Sequence, residues 1–474
     1  MASPRDALIT ALERFHEDDA REQVARARGD EDADPREAVL TRHAALRGPA
    51  ARERFEEARE RGLFEGEELA LAAAALRDAY AAVGEARAET RLREVLARRV
   101  PHDSDHHAPI ALFTRMLAEP HTGRRRAMAR SLEGFAPALH SAQRSGLADV
   151  EESLEGAGWL PPLAPVAKTG EAREVLQATK DLWTEALARL AHSSKAELET
   201  WSDLLFALRR PELGDPRAAS RRWRRIAAEL APLGVAEALN KRARVERATR
   251  AALGSEVVSL RAPSLPHEVR LLPATIELGV ASERDARIAL GRAAALAWTH
   301  PALSPLARRQ EGSVGPALGA LFAHLCAEPG APIVEGLSES EARAVRELAS
   351  ALELFELRTA AASALAQEEG RASFAEAARE LILEAWGVDV APAIAASVAL
   401  RPGHPERLRA LRFAAPLFVA LRDQYDEDWW RNPRAAAPLR AACERGAALS
   451  IEAWAEELGA RTTELSSRLA ERLA

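Results

Sequence analysis

The stretch SLPHEVRLLPATIELGVASERDARIALGRAAALAW (Ser264–Trp298) changes its hydrophobic period halfway along, and that change governs the reading of the 474-residue chain. Short β-branched runs around Pro263 and Pro266 predict a hairpin with strands Val257–Leu260 and Glu268–Leu272. The period then lengthens to that of a helix. Ser282 followed three residues later by Asp285 has the form of a capping box, placing the helix N-cap at Ser282. Within the helix Gly291 and Ala295 lie four apart on one face with Arg292 beside them, so that face carries almost no side chain.

Outward from this stretch the pattern is helical nearly everywhere. Ala, Leu, Arg and Glu dominate and aromatics make up 5%, a composition suited to helices and to a mostly α fold. The length exceeds one ordinary core. Three blocks follow from the breaker-rich stretches: residues 1–100 as an N-terminal helical block, 101–255 as a helical lobe, and 256–474 as a core containing the hairpin, the bare-faced helix and C-terminal helices. Within the second block, helical periodicity runs from Ile110 to about Gly254, broken at GWLPPLAPVAKTG and RRPELGDPRAAS.

Charge narrows the function classes. The 65 basic and 72 acidic residues nearly cancel, leaving −7, and the two signs are interleaved, so no nucleic-acid partner is implied. The chain has no apolar segment of membrane-spanning length and no signal-peptide pattern, which makes the cytoplasm the expected compartment. Cys326 and Cys443 are too few and too far apart for a disulfide framework or a CxxC motif.

The concentrated metal-type donors lie in PHDSDHH (Pro101–His107), where His102 and His106 stand at i, i+4. Following Pro101, the segment reads as a solvated polar connector rather than a metal site. Cys326 near His324 reads as core packing, not as a nucleophile with its base. No GxSxG elbow, phosphate loop or GxGxxG is present.

The hairpin, the helix after it, the segment GSVGPALGALFAHL and the terminal YDEDWWRNPRAAAPLRAACERGAALSIEAWAEELG together resemble the helical gluzincin peptidases of the thimet-oligopeptidase and oligoendopeptidase type. The resemblance covers about Glu256 to Gly459, and DEDWWRNPRA (Asp426–Ala435) is its most specific piece. It implies a two-lobed helical fold with a central cleft and a small β element beside the zinc helix. In that family the helix carries HExxH, whose two His bind zinc while the Glu polarises the water, and a Glu on a later helix completes the ligand set. Laid onto this chain, the two His positions fall on Gly291 and Ala295. The general base falls on Arg292 and the later Glu on Pro316. All four have lost the donor that the chemistry requires, and zinc needs about three protein donors at ~2.0–2.2 Å.

The resemblance therefore implies a degenerate, catalytically inactive peptidase-like protein, with no cofactor, whose cleft takes a peptide or protein segment. Strand addition along Glu268, Val269, Arg270, Leu271 and Leu272 supplies one binding mode, and Arg292 can meet a carboxylate where zinc would sit. Two alternatives stand beside it. One is an active zinc peptidase with displaced ligands His300, His324 and Glu311. The other is a helical scaffold acting through surface contacts with a partner protein. The same small residues, Gly291 and Ala293–Ala295, also permit nothing more than a close helix crossing. Trp429 and Trp430 read as packing anchors, and Asn432-Pro433 as the turn that follows them. The oligomeric state has no signature in the sequence.

Overall fold

The computed structural model describes residues 3–30, 35–64, 66–161, 169–210, 222–246, 255–262, 265–274, 276, 278–308, 314–330, 337–368, 374–401 and 403–473. Glu311 and most of the two connectors GWLPPLAPVAKTG and RRPELGDPRAAS lie outside them. The fold is mostly helical with two small sheets, and among the described residues no helix is long and apolar enough to cross a membrane.

The chain opens with α1 (Pro4–Arg28), α2 (Arg36–Arg42), α3 (Pro49–Glu60) and α4 (Glu68–Leu96). α1 shows how local chemistry sets its ends. Ser3 accepts the Asp6 N–H at 3.1 Å, Pro4 occupies the first turn, and Gly29 ends the helix at φ 77°. Leu8, Leu12, Phe15, Phe55 and Leu76 form a local core for this block.

A β-hairpin follows, with β1 (Val100–His102) paired antiparallel to β2 (Asp105–His107). This corrects the expectation of a loop, while Asp103, Ser104, Asp105 and His106 are exposed to solvent as expected. Asp103, at φ 54°, supplies the left-handed turn residue that closes it. His102 is buried, with Nδ1 3.2 Å from Ser131 Oγ, whereas His106 is exposed on the opposite strand across from Pro101. The two imidazoles therefore stand on different strands.

Next come α5 (Pro109–Ala118), α6 (Thr122–Glu155), α7 (Thr169–Ala178), α8 (Lys180–Ser194), α9 (Trp201–Arg209), α10 (Arg222–Glu229) and α11 (Val235–Arg242). Helix was expected to run on to Gly254. Instead Ala243–Val245 forms β3, which pairs parallel with β5 (Leu265–Leu272). β4 (Glu256–Ala262) pairs antiparallel with the other side of β5, with Val257 opposite Leu271 and Leu260 opposite Glu268. The predicted hairpin is thus present, but the strand order is β3-β5-β4. α1 packs against this sheet through Val24, which meets Val258 and Leu272.

The remainder comprises α12 (Val280–Trp298), α13 (Val314–His324), α14 (Glu339–Glu368), α15 (Phe374–Trp386), α16 (Pro392–Ala399), α17 (His404–Tyr425), α18 (Ala436–Glu444), α19 (Ile451–Leu458) and α20 (Glu464–Leu473). α12 begins two residues before the expected cap. Gly279 turns the chain at φ 61°, a conformation that side-chain-bearing residues rarely adopt, and serves as N-cap. Ser282 instead accepts the Leu278 N–H at 2.7 Å, and Asp285 accepts from Ser255, through its N–H at 3.0 Å and its hydroxyl at 2.6 Å.

Two large cores draw on distant parts of the chain. One joins α5–α9 with α14–α17 and α20. The other surrounds α12 and α13 with β5, α17 and the C-terminal Trp429, Trp430 and Trp454. Trp429 and Trp430 are 0% and 2% exposed, and Asn432 closes the following turn by accepting the Arg434 N–H at 3.0 Å. The two tryptophans anchor the segment as their composition implied.

Candidate functional site

α12 presents three different faces, and each meets a different environment. The first is the bare one. A Cβ placed on Gly291 would stand 2.6 Å from the Cα of Gly319 and 2.8 Å from the carbonyl of Leu318. Reciprocally, a Cβ on Gly319 would stand 2.7 Å from the Ile288 carbonyl and 3.3 Å from Cγ of Arg292. α12 and α13 therefore touch backbone to backbone at a glycine pair. No imidazole fits at residue 291 while the helices are in this position.

The other three positions are equally unsuited to a dication. Ala295 is fully buried, and its carbonyl is taken by Thr299, whose N–H and hydroxyl donate to it at 3.1 and 2.9 Å. Arg292 is exposed, its stem lying over Gly319. Pro316 sits in the first turn of α13, where a missing N–H costs nothing. Zinc does not fit this set, because hydrogen, methyl and pyrrolidine groups carry no lone pairs to offer it.

Nor do the displaced candidates gather elsewhere. His300 is exposed beyond the end of α12, its Nδ1 accepting the Ala302 N–H at 3.2 Å. His324 is fully buried, with Nδ1 2.7 Å from Glu353. Among the described residues no group of three or more His, Cys, Asp or Glu side chains is placed to hold a metal ion, and Glu311 lies outside those residues.

The second face is ionic and wholly buried. Arg284 donates to the Ala323 carbonyl at 3.1 Å and to Glu353 and Glu356 at 3.4 and 3.2 Å. Arg287 pairs with Glu229 and with Glu283, and Glu283 also meets Arg222 and Arg225. Arg472 of α20 reaches Glu353 at 2.8 Å and the His324 carbonyl at 2.6 Å. Burial alone would raise the Glu353 pKa, but His324, Arg472 and Arg284 hold it well below the ordinary carboxylate range. Cys326 lies in the same region with its thiol pushed by burial up to about 11, so it is a packing group and not a nucleophile.

The third face looks into open space. Ala281, Asp285 and Ile288 of α12 line a hollow of about 660 Å³, enclosed further by α4, α5, α6, α9, α14, α16 and α17. Phe113, Leu132, Phe135, Leu139, Leu205 and Phe355 give it large hydrocarbon surfaces, and Arg209, Asp285, Glu356 and Thr359 line it as well. None of Gly291, Arg292, Ala295 or Pro316 belongs to this lining. Further polar side chains line it where α16 meets the start of α17. Gln143 donates to the Ser397 carbonyl at 3.1 Å, and His404 Nε2 donates to the Val398 carbonyl at 3.0 Å. Burial lowers the His404 pKa to about 4, so the ring is neutral near pH 7.

Arg401 stands at the rim, open to solvent yet crowded by protein atoms. That crowding and the like charge of Arg407 both lower its pKa. Arg407 is paired with Glu356 at 3.4 Å. Arg401 has no carboxylate partner among the described residues.

The chain aligns structurally with PZ peptidase A, solved with an inhibitor, at a TM-score of 0.65 and 11% identity over 98% of this chain and 85% of that one. It aligns with the M32 carboxypeptidase of Deinococcus radiodurans R1 at 0.52 and 14% over 99% of both chains. A third neighbour, BsuCP, gives 0.58 and 10% over 99% of both.

The chain has a helical peptidase fold.

At these identities the likeness concerns architecture alone. No protein-family profile matches the chain, and no curated protein matches it in sequence. Within the peptidase fold, the segment expected to recruit a peptide is placed differently from the expectation. β5, which carries Glu268–Leu272, is the central strand, and both of its edges are already hydrogen-bonded, to β3 and β4. Strand addition along Glu268, Val269, Arg270, Leu271 and Leu272 is therefore closed. Arg270 is turned to Glu246 at 3.0 Å and also pairs with Glu268.

The hollow and the ionic face escaped sequence reasoning for the same reason. Gln143, Ser397, Arg401 and His404 are 254 residues apart at the extremes of their one direct bond, and no spacing rule joins them. The ionic face left one local trace, the i, i+4 pair Glu283–Arg287.

Proposed function

We propose that this protein is a catalytically inactive peptidase-fold protein that works by binding an apolar ligand in the hollow beside α12. The observation that carries the reading is the glycine contact between α12 and α13. It occupies the place where the resemblance puts a zinc-binding imidazole, and it leaves no room for one. A general base is missing from the same turn, since Arg292 is a cation and cannot take a proton from water.

What the fold retains is a hollow within the usual range of small-molecule sites, about 300–1,000 Å³. The ligand class expected from the resemblance was a peptide or protein segment. With β5 closed on both edges, any such segment has to enter the hollow through its apolar side chains.

The test is a pair of assays on the purified full chain. Quenched fluorogenic peptides of several lengths should show no hydrolysis that a chelator abolishes. The apolar dye 1-anilinonaphthalene-8-sulfonate should bind the native protein saturably and bind more weakly to Leu139→Trp, which pushes an indole into the hollow. Chelator-sensitive hydrolysis would overturn the proposal, as would dye binding that Leu139→Trp leaves unchanged.

A further inference from the structure

The buried ionic face does not end inside the protein. It runs as one chain of alternating charge from the last helix to the lining of the hollow. Arg468 of α20 meets Glu328 at 2.7 Å, and Arg472 meets the same carboxylate at 3.6 Å. Arg472 then meets Glu353 at 2.8 Å, Glu353 meets Arg284 at 3.4 Å, Arg284 meets Glu356 at 3.2 Å, and Glu356 meets Arg407 at 3.4 Å. Glu356 and Arg407 both line the hollow. The Arg284 side chain is 0% exposed and that of Arg407 44%, so the series opens to solvent at the hollow and is shielded within, where attraction between charges is strongest.

Each junction is a competition. Glu353 Oε2 is shared by the guanidiniums of Arg284 and Arg472, and Glu356 Oε2 by those of Arg284 and Arg407. Arg284 offers one terminal nitrogen to each carboxylate. In such a series, whatever weakens one contact strengthens the next. An anion that draws Arg407 from Glu356 leaves that carboxylate to Arg284. Arg284 then leans away from Glu353, and Glu353 is left to Arg472. The lining favours an anion, because Arg209, Arg401 and Arg407 outnumber Asp285 and Glu356, and Glu356 is already offset by Arg284 from behind.

The far end of the series is an element with two states. α20 (Glu464–Leu473) has ten residues, too few for a helix to persist alone in water, so it is helical because it is docked. Leu465, Leu469 and Leu473 seat it in the large core, and Arg472 fastens it to the His324 carbonyl at 2.6 Å as well as to Glu353. A terminal element of this kind opens at a lower cost than the whole protein unfolds.

We propose that binding of an anionic ligand in the hollow and docking of α20 reinforce each other through Arg407, Glu356, Arg284, Glu353 and Arg472. The inference rests on the hollow being the protein's binding site and adds how that site is regulated. The two ends bias one docked-or-open element, so the coupling is reciprocal.

Hydrogen–deuterium exchange of residues 464–473 in the full chain reads the docking directly. Saturating 1-anilinonaphthalene-8-sulfonate, an anion, should slow exchange there about fivefold, the lower end of coupling between sites, whereas the uncharged dye Prodan should not. Glu356→Gln removes the middle charge and should abolish the slowing while the anionic dye still binds. In the other direction, Arg472→Gln should weaken the anionic dye about fivefold, leave Prodan unchanged, and have no effect in the Glu356→Gln background.

Failure of both dyes to bind saturably overturns the hollow as the binding site and this inference with it. Binding of the anionic dye with unchanged exchange in α20 overturns the coupling alone. Equal slowing by both dyes, or slowing that persists in Glu356→Gln, overturns the ionic route. The exchange measurement needs only the native chain, so it decides the coupling even if Arg472→Gln does not fold.

Discussion

Replacing Gly291 with alanine adds one methyl group at the point where α12 and α13 touch. The added carbon would lie 2.6 Å from Gly319 Cα, 2.7 Å from Gly319 N and 2.8 Å from the Leu318 carbonyl, all backbone atoms that cannot swing aside. Ordinary contact begins near 3.4 Å, so the two helices must separate by roughly 1 Å along a seam of buried residues. Overpacking of this kind costs ~1–3 kcal/mol, against which alanine recovers ~1 kcal/mol of helix propensity. The net expectation is a loss of about 0–2 kcal/mol.

Gly134 in α6 supplies the comparison, since it is exposed and a Cβ there meets nothing within 4 Å. Gly134→Ala should therefore gain about 0.5–1 kcal/mol from propensity and reduced unfolded-state entropy. Urea titrations followed by circular dichroism will read both, as midpoints moving in opposite directions with unchanged slopes. A Gly291→Ala that gains as much stability as Gly134→Ala would contradict the close contact. It would mean that the face is open and that an imidazole could be accommodated.

Other consequences follow from the buried charges and thiols. Arg284→Met leaves Glu353 and Glu356 short of a cation inside the protein and should cost about 3–5 kcal/mol. Arg61→Ala, which breaks an exposed pair with Glu57, should stay within about 0.5 kcal/mol. Equal effects in the two variants would contradict the ionic face. His404 has a folded pKa near 4 against 6.5 for an ordinary imidazole, so as pH falls the unfolded chain takes up the proton first. Stability should drain between about pH 6.5 and 4 by up to about 3 kcal/mol from this group, with no contribution above that window and no further loss below it. Burial lowers the His324 pKa as well, with the same sign. His404→Asn should flatten the urea midpoint against pH, and superimposable curves for the two proteins would count against a buried neutral ring. Cys326 and Cys443 are both fully buried with raised thiol pKa values, so Ellman's reagent should label them only at the rate of unfolding. Rapid labelling of native protein would contradict that burial.

Local chemistry was the legible part of this fold. The change of period at Ser264–Trp298 located the hairpin and the helix after it, because alternation and helical spacing are properties of neighbouring residues. Trp429, Trp430 and Asn432 announced a packed turn through their side chains alone. What remained hidden depended on partners far along the chain. Ala243–Val245 reads as the end of a helix, and only pairing with β5 makes it a strand. That same pairing turns Glu268–Leu272 from an available edge into an interior strand. Ser282 and Asp285 have the composition of a capping box, yet Gly279 starts the helix earlier and Asp285 is claimed by Ser255 across 30 residues. At Gly291 the sequence offered two readings, an emptied metal site or a close crossing. The geometry supplies the crossing, and Gly319, the residue that receives it, carried no signal that sequence alone could single out.

The most direct measurement is the zinc content of full-length protein purified without chelators, read by inductively coupled plasma mass spectrometry alongside total protein. Zinc should stay substoichiometric, and exchange into zinc-containing buffer should not raise it to one per chain. One tightly held zinc per chain, removed by 1,10-phenanthroline together with peptide hydrolysis, would contradict that expectation.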